Sequence, residues 1–140
     1  MPSTRLADCA PALAEAWVDI LHAYRDANDG HDLAVTCTYR SPQEQAALYR
    51  KGRVLVNGAW VVDDDPKTSI VTNIDGMSKL SRHNSQPAEA IDFAVMIGGK
   101  VSWDVREYQP VGVLAKARGL VWGGDWVRLR DYPHLELPAE

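Results

Sequence analysis

The most constraining feature of this sequence is a carboxylate inside an apolar run. Residues 90–95 are hydrophobic except for Asp92. A short run of this composition predicts a buried strand. An ionised carboxylate inside such a strand costs free energy unless it is paired with another group or bound to a metal. The alternative is that strand alternation turns Asp92 outward, away from the core.

The remaining sequence predicts helices and strands in a mixed order. Apolar spacing, proline near a first turn and a capping box predict helices from about Leu6 to Tyr24 with the regular part starting near Pro11, from Ser41 to Arg50, and from about Tyr108 to Arg118. Strands are predicted at Leu33–Thr38, on both sides of the Asn57-Gly58 turn between Arg53 and Val62, at Ser69–Thr72, Ala90–Val95, Leu120–Trp122 and His134–Leu137. This order predicts an α+β fold with a small antiparallel sheet flanked by helices. The length of 140 residues predicts one domain over residues 1–140.

Composition excludes several classes of function. A net charge of −4 argues against nucleic-acid binding. No apolar run approaches the length of a membrane span, and the N-terminus lacks the pattern of a signal peptide. Cys37 is interpreted as a small core residue, although a disulfide with Cys9 stays open. The acidic stretch 63–66 is interpreted as a solvated turn rather than a calcium site.

The candidate functional residues are two histidines and two aspartates. His83 and His134, together with Asp92, would make an open zinc site with three protein ligands and a position for water. Asp131 lies three residues before His134 and could accept a proton from that water. Each residue also has a simpler interpretation. A lone histidine such as His134 is more often structural, and Asp131 could be a turn residue or pair with Arg128 or Arg130.

Three motifs carry a resemblance to a known family. In order they are Tyr39-Arg40-Ser41, Ser81-Arg82-His83 followed by Asp92, and Asp131-Tyr132-Pro133-His134. In this combination the chain resembles the M15 family of zinc peptidases, which cut peptidoglycan stem peptides, from about Leu33 to Leu137. The sequence departs from the family pattern in the second motif. Eight residues separate His83 from Asp92, which is longer than usual, and Gln86-Pro87 stands where a glycine is expected.

The resemblance implies a fold of the zinc D-alanyl-D-alanine peptidase and hedgehog type, and a zinc ion held by His83, Asp92 and His134. It implies that Asp131 is the general base. It also implies that Arg40 stabilises the developing oxyanion or grips a substrate carboxylate. From the residues alone, Arg40 could equally form a salt bridge to a core carboxylate.

Two further residues are candidates for orienting the ligands, Ser81 and Asp125. Trp122 and Trp126 either wall the cleft or belong to the core. The expected partner is the peptidoglycan stem peptide, with no nucleic acid, no membrane insertion and a monomeric state.

The expected activity is that of a phage endolysin cutting the L-alanyl-D-glutamate bond, without a separate wall-binding module. Such an enzyme would stay in the host cytoplasm until lysis and then act in the periplasm on the wall. A D-alanyl-D-alanine carboxypeptidase or dipeptidase is the alternative within the enzyme class. A non-catalytic virion protein of the same fold, binding zinc or wall peptides, is the alternative outside it.

Overall fold

The structure, a computed structural model, describes residues 1–63 and 70–139. Its helices are α1 (Pro11–Ala27), α2 (Pro42–Arg50) and α3 (Val105–Lys116). Its strands are β1 (His31–Cys37), β2 (Arg53–Val56), β3 (Ala59–Val62), β4 (Ala90–Ile97), β5 (Lys100–Ser102), β6 (Val121–Trp122) and β7 (His134–Glu136). The predicted α+β fold with a small antiparallel sheet is confirmed.

Strand β4 is the centre of the main sheet, whose order is β1-β4-β7-β6. β5 pairs with the far end of β4, and every pairing in this sheet is antiparallel. The register sets Asp92 opposite His134 of β7 and opposite Cys37 of β1. A register shift between Val35 and Cys37 interrupts β1 beside this point. The predicted strand that contains Asp92 is therefore an inner strand, with β1 on one edge and β7 on the other.

Helix α1 covers one face of this sheet. It begins at Pro11, as predicted. The N–H groups of the first turn have no partner within a helix, so proline, which lacks an N–H, is well tolerated there. Its buried residues recur at helical spacing, and the ring of Trp17 lies 5.6 Å from that of Phe93 on β4. The core comprises Cys9, Leu13, Trp17, Ile20, Tyr24, Leu33, Ile91, Phe93, Val95, Tyr108, Val111, Ala115, Leu120, Trp122 and Leu135.

Helix α2 and the hairpin that follows it were both predicted from local signals. Ser41 and Glu44 form the reciprocal capping box, with each side chain bonded to the other residue's backbone N–H. The hairpin β2–β3 turns at Asn57 and Gly58, whose φ values are 50° and 82°. Both residue types tolerate that left-handed conformation, which explains why this dipeptide marks a turn.

Two predicted elements differ from the structure. Helix α3 begins at Val105 rather than near Tyr108, because the Asp104 side chain accepts a hydrogen bond from the Arg106 N–H and caps it. Pro110 consequently lies inside the helix and not in its first turn. Residues 70–72 form no strand, and the Thr72 carbonyl instead accepts a hydrogen bond of 2.9 Å from Arg53. Ser69 and most of the acidic turn, residues 64–66, lie outside the described residues.

Over residues 1–63 and 70–139, no helix combines the length and the apolar composition that crossing a lipid bilayer requires.

Candidate metal centre

A single oxygen of the Asp92 carboxylate contacts both predicted histidines. Asp92 Oδ1 lies 2.8 Å from His134 Nδ1 and 3.1 Å from His83 Nε2. Its side chain is 21% exposed, so it does not point out to solvent as strand alternation alone would allow. The register of β4 with β7 accounts for the first contact, because Asp92 and His134 are direct cross-strand neighbours.

His83 comes from a short 3₁₀ helix, Arg82–Asn84, that precedes β4. Ser81 caps this helix by accepting a hydrogen bond from the His83 N–H. Ser81 therefore contacts the backbone of His83 and not its imidazole. The His83 Nδ1–H donates to the Thr38 carbonyl at 2.7 Å. This bond leaves Nε2 as the nitrogen that faces the site. Nε2 is buried, and its 3.1 Å contact with Asp92 Oδ1 lacks the geometry of a hydrogen bond.

His134 is oriented by a residue that the sequence analysis did not single out. His134 Nε2 lies 2.8 Å from Glu136 Oε1, which leaves Nδ1 turned toward Asp92. Glu136 Oε2 in turn lies 3.6 Å from Arg82 Nε. A carboxylate behind a histidine is the usual device for fixing the tautomer of a metal ligand. The signal available in the sequence was strand alternation, since positions two apart share a face.

These atoms fit a divalent metal. Two imidazole nitrogens and one carboxylate oxygen converge, which is the donor set of an open zinc site with one position free for water. The unpartnered, buried Nε2 of His83 is the observation that favours a metal, since a buried polar atom without a partner is rare. The potential ligand atoms form two groups that share Asp92, and within each group they lie within 4.8 Å of one another. One group is Asp92 with Asp131 and His134, and the other is Asp92 with Cys37 and His83, so the two histidines fall in different groups.

Without a metal, protons hold this cluster together. Burial alone would lower the pKa of His83, but its close contacts with Asp92 and Cys37 raise it to about 10. Burial would likewise lower the pKa of His134, but hydrogen bonds with Asp92 and Glu136 outweigh this effect and raise the pKa to about 9. For Asp92 itself, burial favours a higher pKa, but the hydrogen bond with His134 and the close contact with His83 hold the pKa well below its usual value.

Asp131 stands beside this cluster. Its Oδ2 lies 3.8 Å from His134 Nδ1, and its side chain is 43% exposed. Burial, followed by the negative charge of Asp92, raises the pKa of Asp131 above its usual value. The backbone of Asp131 packs directly on Gly123, where an added Cβ would lie 2.2 Å from the Asp131 carbonyl oxygen. The glycine therefore allows the close approach that places Asp131.

Arg40 reaches the other oxygen of the same carboxylate. Its Nη2 donates to Asp92 Oδ2 at 3.2 Å, and its Nη1 donates to Gln45 Oε1 at 3.0 Å. The salt bridge to a core carboxylate, left open by the sequence, is thus present. Arg40 also borders the cleft, so a role toward a substrate is compatible with the same position.

The other candidates lie in different surroundings. Asp125 forms an ion pair of 3.1 Å with Lys116, and within the described residues no hydrogen bond or ion pair links it to the cluster. The ring of Trp126 lies 5.0 Å from that of His134 and lines the cleft, whereas Trp122 belongs to the core. Cys9 and Cys37 are both free and buried, so no disulfide joins them.

The cluster opens into a cleft of about 590 Å³. One wall comes from the segments 70–74 and 79–82, and the other comes from the segment 126–131. Cationic and anionic side chains both line it: Arg40, Lys79, Arg82 and Arg130 against Asp92, Asp131 and Glu136.

Comparisons with known proteins find similarity to peptidases. A family profile described as D-alanyl-D-alanine carboxypeptidase, of the peptidase M15 type, matches residues 75–137, which include both histidines and both aspartates. The chain is 37% identical over 121 residues to the peptidoglycan L-alanyl-D-glutamate endopeptidase CwlK of Bacillus subtilis. That match covers 79% of this chain and 64% of CwlK, so the chain spans less than two thirds of this curated relative.

A solved structure has the same fold. It is the L-Ala D-Glu endopeptidase ChiX of Serratia marcescens, with a TM-score of 0.59 and 24% sequence identity. The match covers 99% of this chain and 90% of ChiX.

Proposed function

We propose that this chain, which belongs to the M15 family of peptidases, hydrolyses the stem peptide of peptidoglycan with zinc as its metal. The observation that carries the proposal is the convergence of His83 and His134 on one oxygen of Asp92. Asp131 stands beside them, with its Oδ2 3.8 Å from His134 Nδ1, where a proton acceptor could act on a metal-bound water.

The chain's own residues would divide the work as follows. His83 Nε2, His134 Nδ1 and Asp92 would hold the zinc ion. Zinc, when bound there, polarises a carbonyl and lowers the pKa of a water. Asp131 would take the proton from the attacking water and return it to the leaving amine. Arg40 would donate from its guanidinium to the carbonyl oxygen as negative charge develops there.

The bond that we propose is L-alanyl-D-glutamate. CwlK carries that activity in its name and shares 37% of its residues with this chain over the matched length. The second candidate is removal of a terminal D-alanine, which is the activity named by the matching family profile.

Purified stem peptides separate these two bonds. Muropeptides are incubated with the zinc-loaded protein and the products are identified by mass spectrometry. Cleavage after L-alanine releases a peptide that begins with D-glutamate, whereas the alternative removes one alanine from the other end. The metal-stripped protein, and the same protein with zinc restored, are the controls. Intact peptides with the zinc-loaded protein would contradict both assignments.

A narrower proposal is that this hydrolysis serves phage lysis from the host cytoplasm. The test is co-expression with a membrane pore protein, and the expected outcome is loss of culture turbidity only when both are present. Lysis without the pore, or none with it, would contradict that role while leaving the hydrolysis proposal intact.

A further inference from the structure

We propose that Gln45 is a positioning residue, which fixes the direction of the Arg40 guanidinium in the cleft. The proposal rests on the function proposed above, where Arg40 acts on the substrate. Gln45 lies on α2 and is 1% exposed. A buried amide needs partners for both its oxygen and its nitrogen, so its contacts define its role.

The two ends of the Gln45 amide serve two different parts of the cleft. Its Oε1 accepts a hydrogen bond of 3.0 Å from Arg40 Nη1. Its Nε2 donates to the Ile74 carbonyl at 3.0 Å and to the Thr72 hydroxyl at 3.4 Å. The amide cannot be turned over, because a guanidinium only donates and a carbonyl only accepts. Gln45 therefore fixes the cation relative to the cleft wall at Thr72 and Ile74.

Among the described residues, the Arg40 guanidinium has partners other than Gln45 only at Nη2, which contacts Asp92 and, at 3.5 Å, Cys37 Sγ. Its backbone is held, since the Arg40 N–H donates to the His83 carbonyl at 2.9 Å and its own carbonyl accepts from Asn84 at 2.8 Å. At the far end, Nη2 pairs with Asp92, and Nε is buried without a partner. Asp92 is also a proposed metal ligand, so its negative charge would be shared between Arg40 and the metal.

Gln45 supplies an anchor of a different kind. A neutral amide oxygen orients a cation without cancelling its charge and without competing for the metal. The fit around Gln45 is tight. An added Cβ at Gly76, whose φ is +78°, would lie 2.9 Å from Gln45 Cβ and 2.7 Å from the Pro42 carbonyl oxygen. The segment that includes Ile74 can therefore close on α2 and keep the amide in place.

The experiment is a double-mutant cycle on hydrolysis of the stem peptide. The variants are Gln45→Met, Arg40→Met and the pair, and Gln43→Met on the exposed side of the same helix is the matched control. We expect Gln45→Met to lower kcat/KM by about 10- to 100-fold, because a small misplacement of a positioned group costs that much. Zinc content should stay unchanged. In the Arg40→Met background, Gln45→Met should have no further effect.

An equal loss in both backgrounds would overturn the proposal, because it would show that Gln45 acts independently of Arg40. If Gln45→Met does not melt cooperatively, the same cycle uses Gln45→Asn, which keeps an amide but withdraws it by one methylene. The expected pattern is the same. Failure of the proposed function has a different signature, since the wild-type protein would then leave every stem peptide intact.

Discussion

Asp92 and His134 are direct partners on adjacent antiparallel strands, and their side chains meet at 2.8 Å. A cross-strand pair of this kind is fixed by the backbone ladder, so the carboxylate and the imidazole are placed before any ligand arrives. His83 joins them from a separate short helix. The proposed metal site is thus built mainly on rigid elements, and the predictions below test it residue by residue.

Asp131→Asn should abolish most hydrolysis while retaining zinc. The amide keeps the volume of the carboxylate but cannot accept the proton of the water, and loss of a general base costs about 10²- to 10⁴-fold in rate. Stem-peptide hydrolysis and metal content are measured on the same sample. Asp125→Asn is the matched control, because Asp125 pairs with Lys116 and not with the cluster. Loss of stoichiometric zinc from Asp131→Asn would make Asp131 a ligand instead.

Asp92→Asn or His83→Ala should lose both zinc and activity. Zinc that binds only the folded state stabilises it by about 2.7 kcal/mol at a free concentration of 100 times its Kd, so the melting temperature should no longer respond to zinc. Asp32→Asn, on the exposed part of β1, is the control. Full zinc occupancy in Asp92→Asn would show that another carboxylate replaces it, with Glu89 as the first to examine.

Glu136→Ala should weaken zinc binding by about 10- to 100-fold, as is typical when the carboxylate behind a ligating histidine is removed. Competition with a chelator of known affinity measures the change. Glu89→Ala is the control, since Glu89 also pairs with Arg82 but contacts neither histidine. Unchanged zinc affinity in Glu136→Ala would mean that its contact with His134 is dispensable.

The stability of the metal-free protein should fall as pH rises. The folded-state pKa values of about 10 for His83 and about 9 for His134 lie above the ordinary value of 6.5. Their contribution is therefore complete below pH 6.5 and is lost as pH rises through the folded values. Zinc must displace these protons, so its stabilising effect should grow over the same range.

Melting temperatures in chelator and in zinc, from about pH 6 to about pH 9, test both slopes. Asp92→Asn should flatten the slope of the metal-free protein, because the partner that raises both histidine pKa values is gone. A metal-free melting temperature that stays level across the range would contradict the protonated cluster.

Arg40→Met should lower kcat/KM and shift the acid limb of the pH profile. The positive charge of Arg40 acts to lower the pKa of Asp131, against burial and Asp92. Removing it raises that pKa, so the loss of activity on acidification begins at a higher pH. Arg40→Lys keeps the charge and should leave the limb in place, but the lost planar fork should still reduce the rate. An unshifted limb in Arg40→Met would show that the two side chains are electrostatically independent.

Local sequence signals predicted most of the elements. The capping box at Ser41, the turn at Asn57 and the apolar run around Asp92 each identify an element by a short-range rule. The sequence predicts a start of α3 near Tyr108 because proline favours the first turn of a helix, whereas the Asp104 side chain caps the helix one turn earlier. The predicted strand at residues 69–72 is absent over its described part, because side chains of neighbouring elements satisfy its backbone.

The site was predictable in its members but not in its arrangement. Residue types and spacing identified His83, Asp92 and His134, yet the common contact on one Asp92 oxygen depends on strand register, which local patterns do not specify. The sequence did not single out Glu136 for the same reason, since its contact with His134 depends on which way the imidazole ring is oriented. Asp125, a candidate for orienting the ligands, forms its ion pair with Lys116 on α3.

The groups at this centre are far apart along the chain. The contacts Thr38–His83, Arg40–Asp92 and Asp92–His134 join residues separated by 45, 52 and 42 positions. Contacts of such separation form late, because loop closure must be completed before they contribute stability. A growing or partly folded chain consequently cannot assemble the cluster from any one segment. The proposed metal site should therefore form only after β7 has paired with β4.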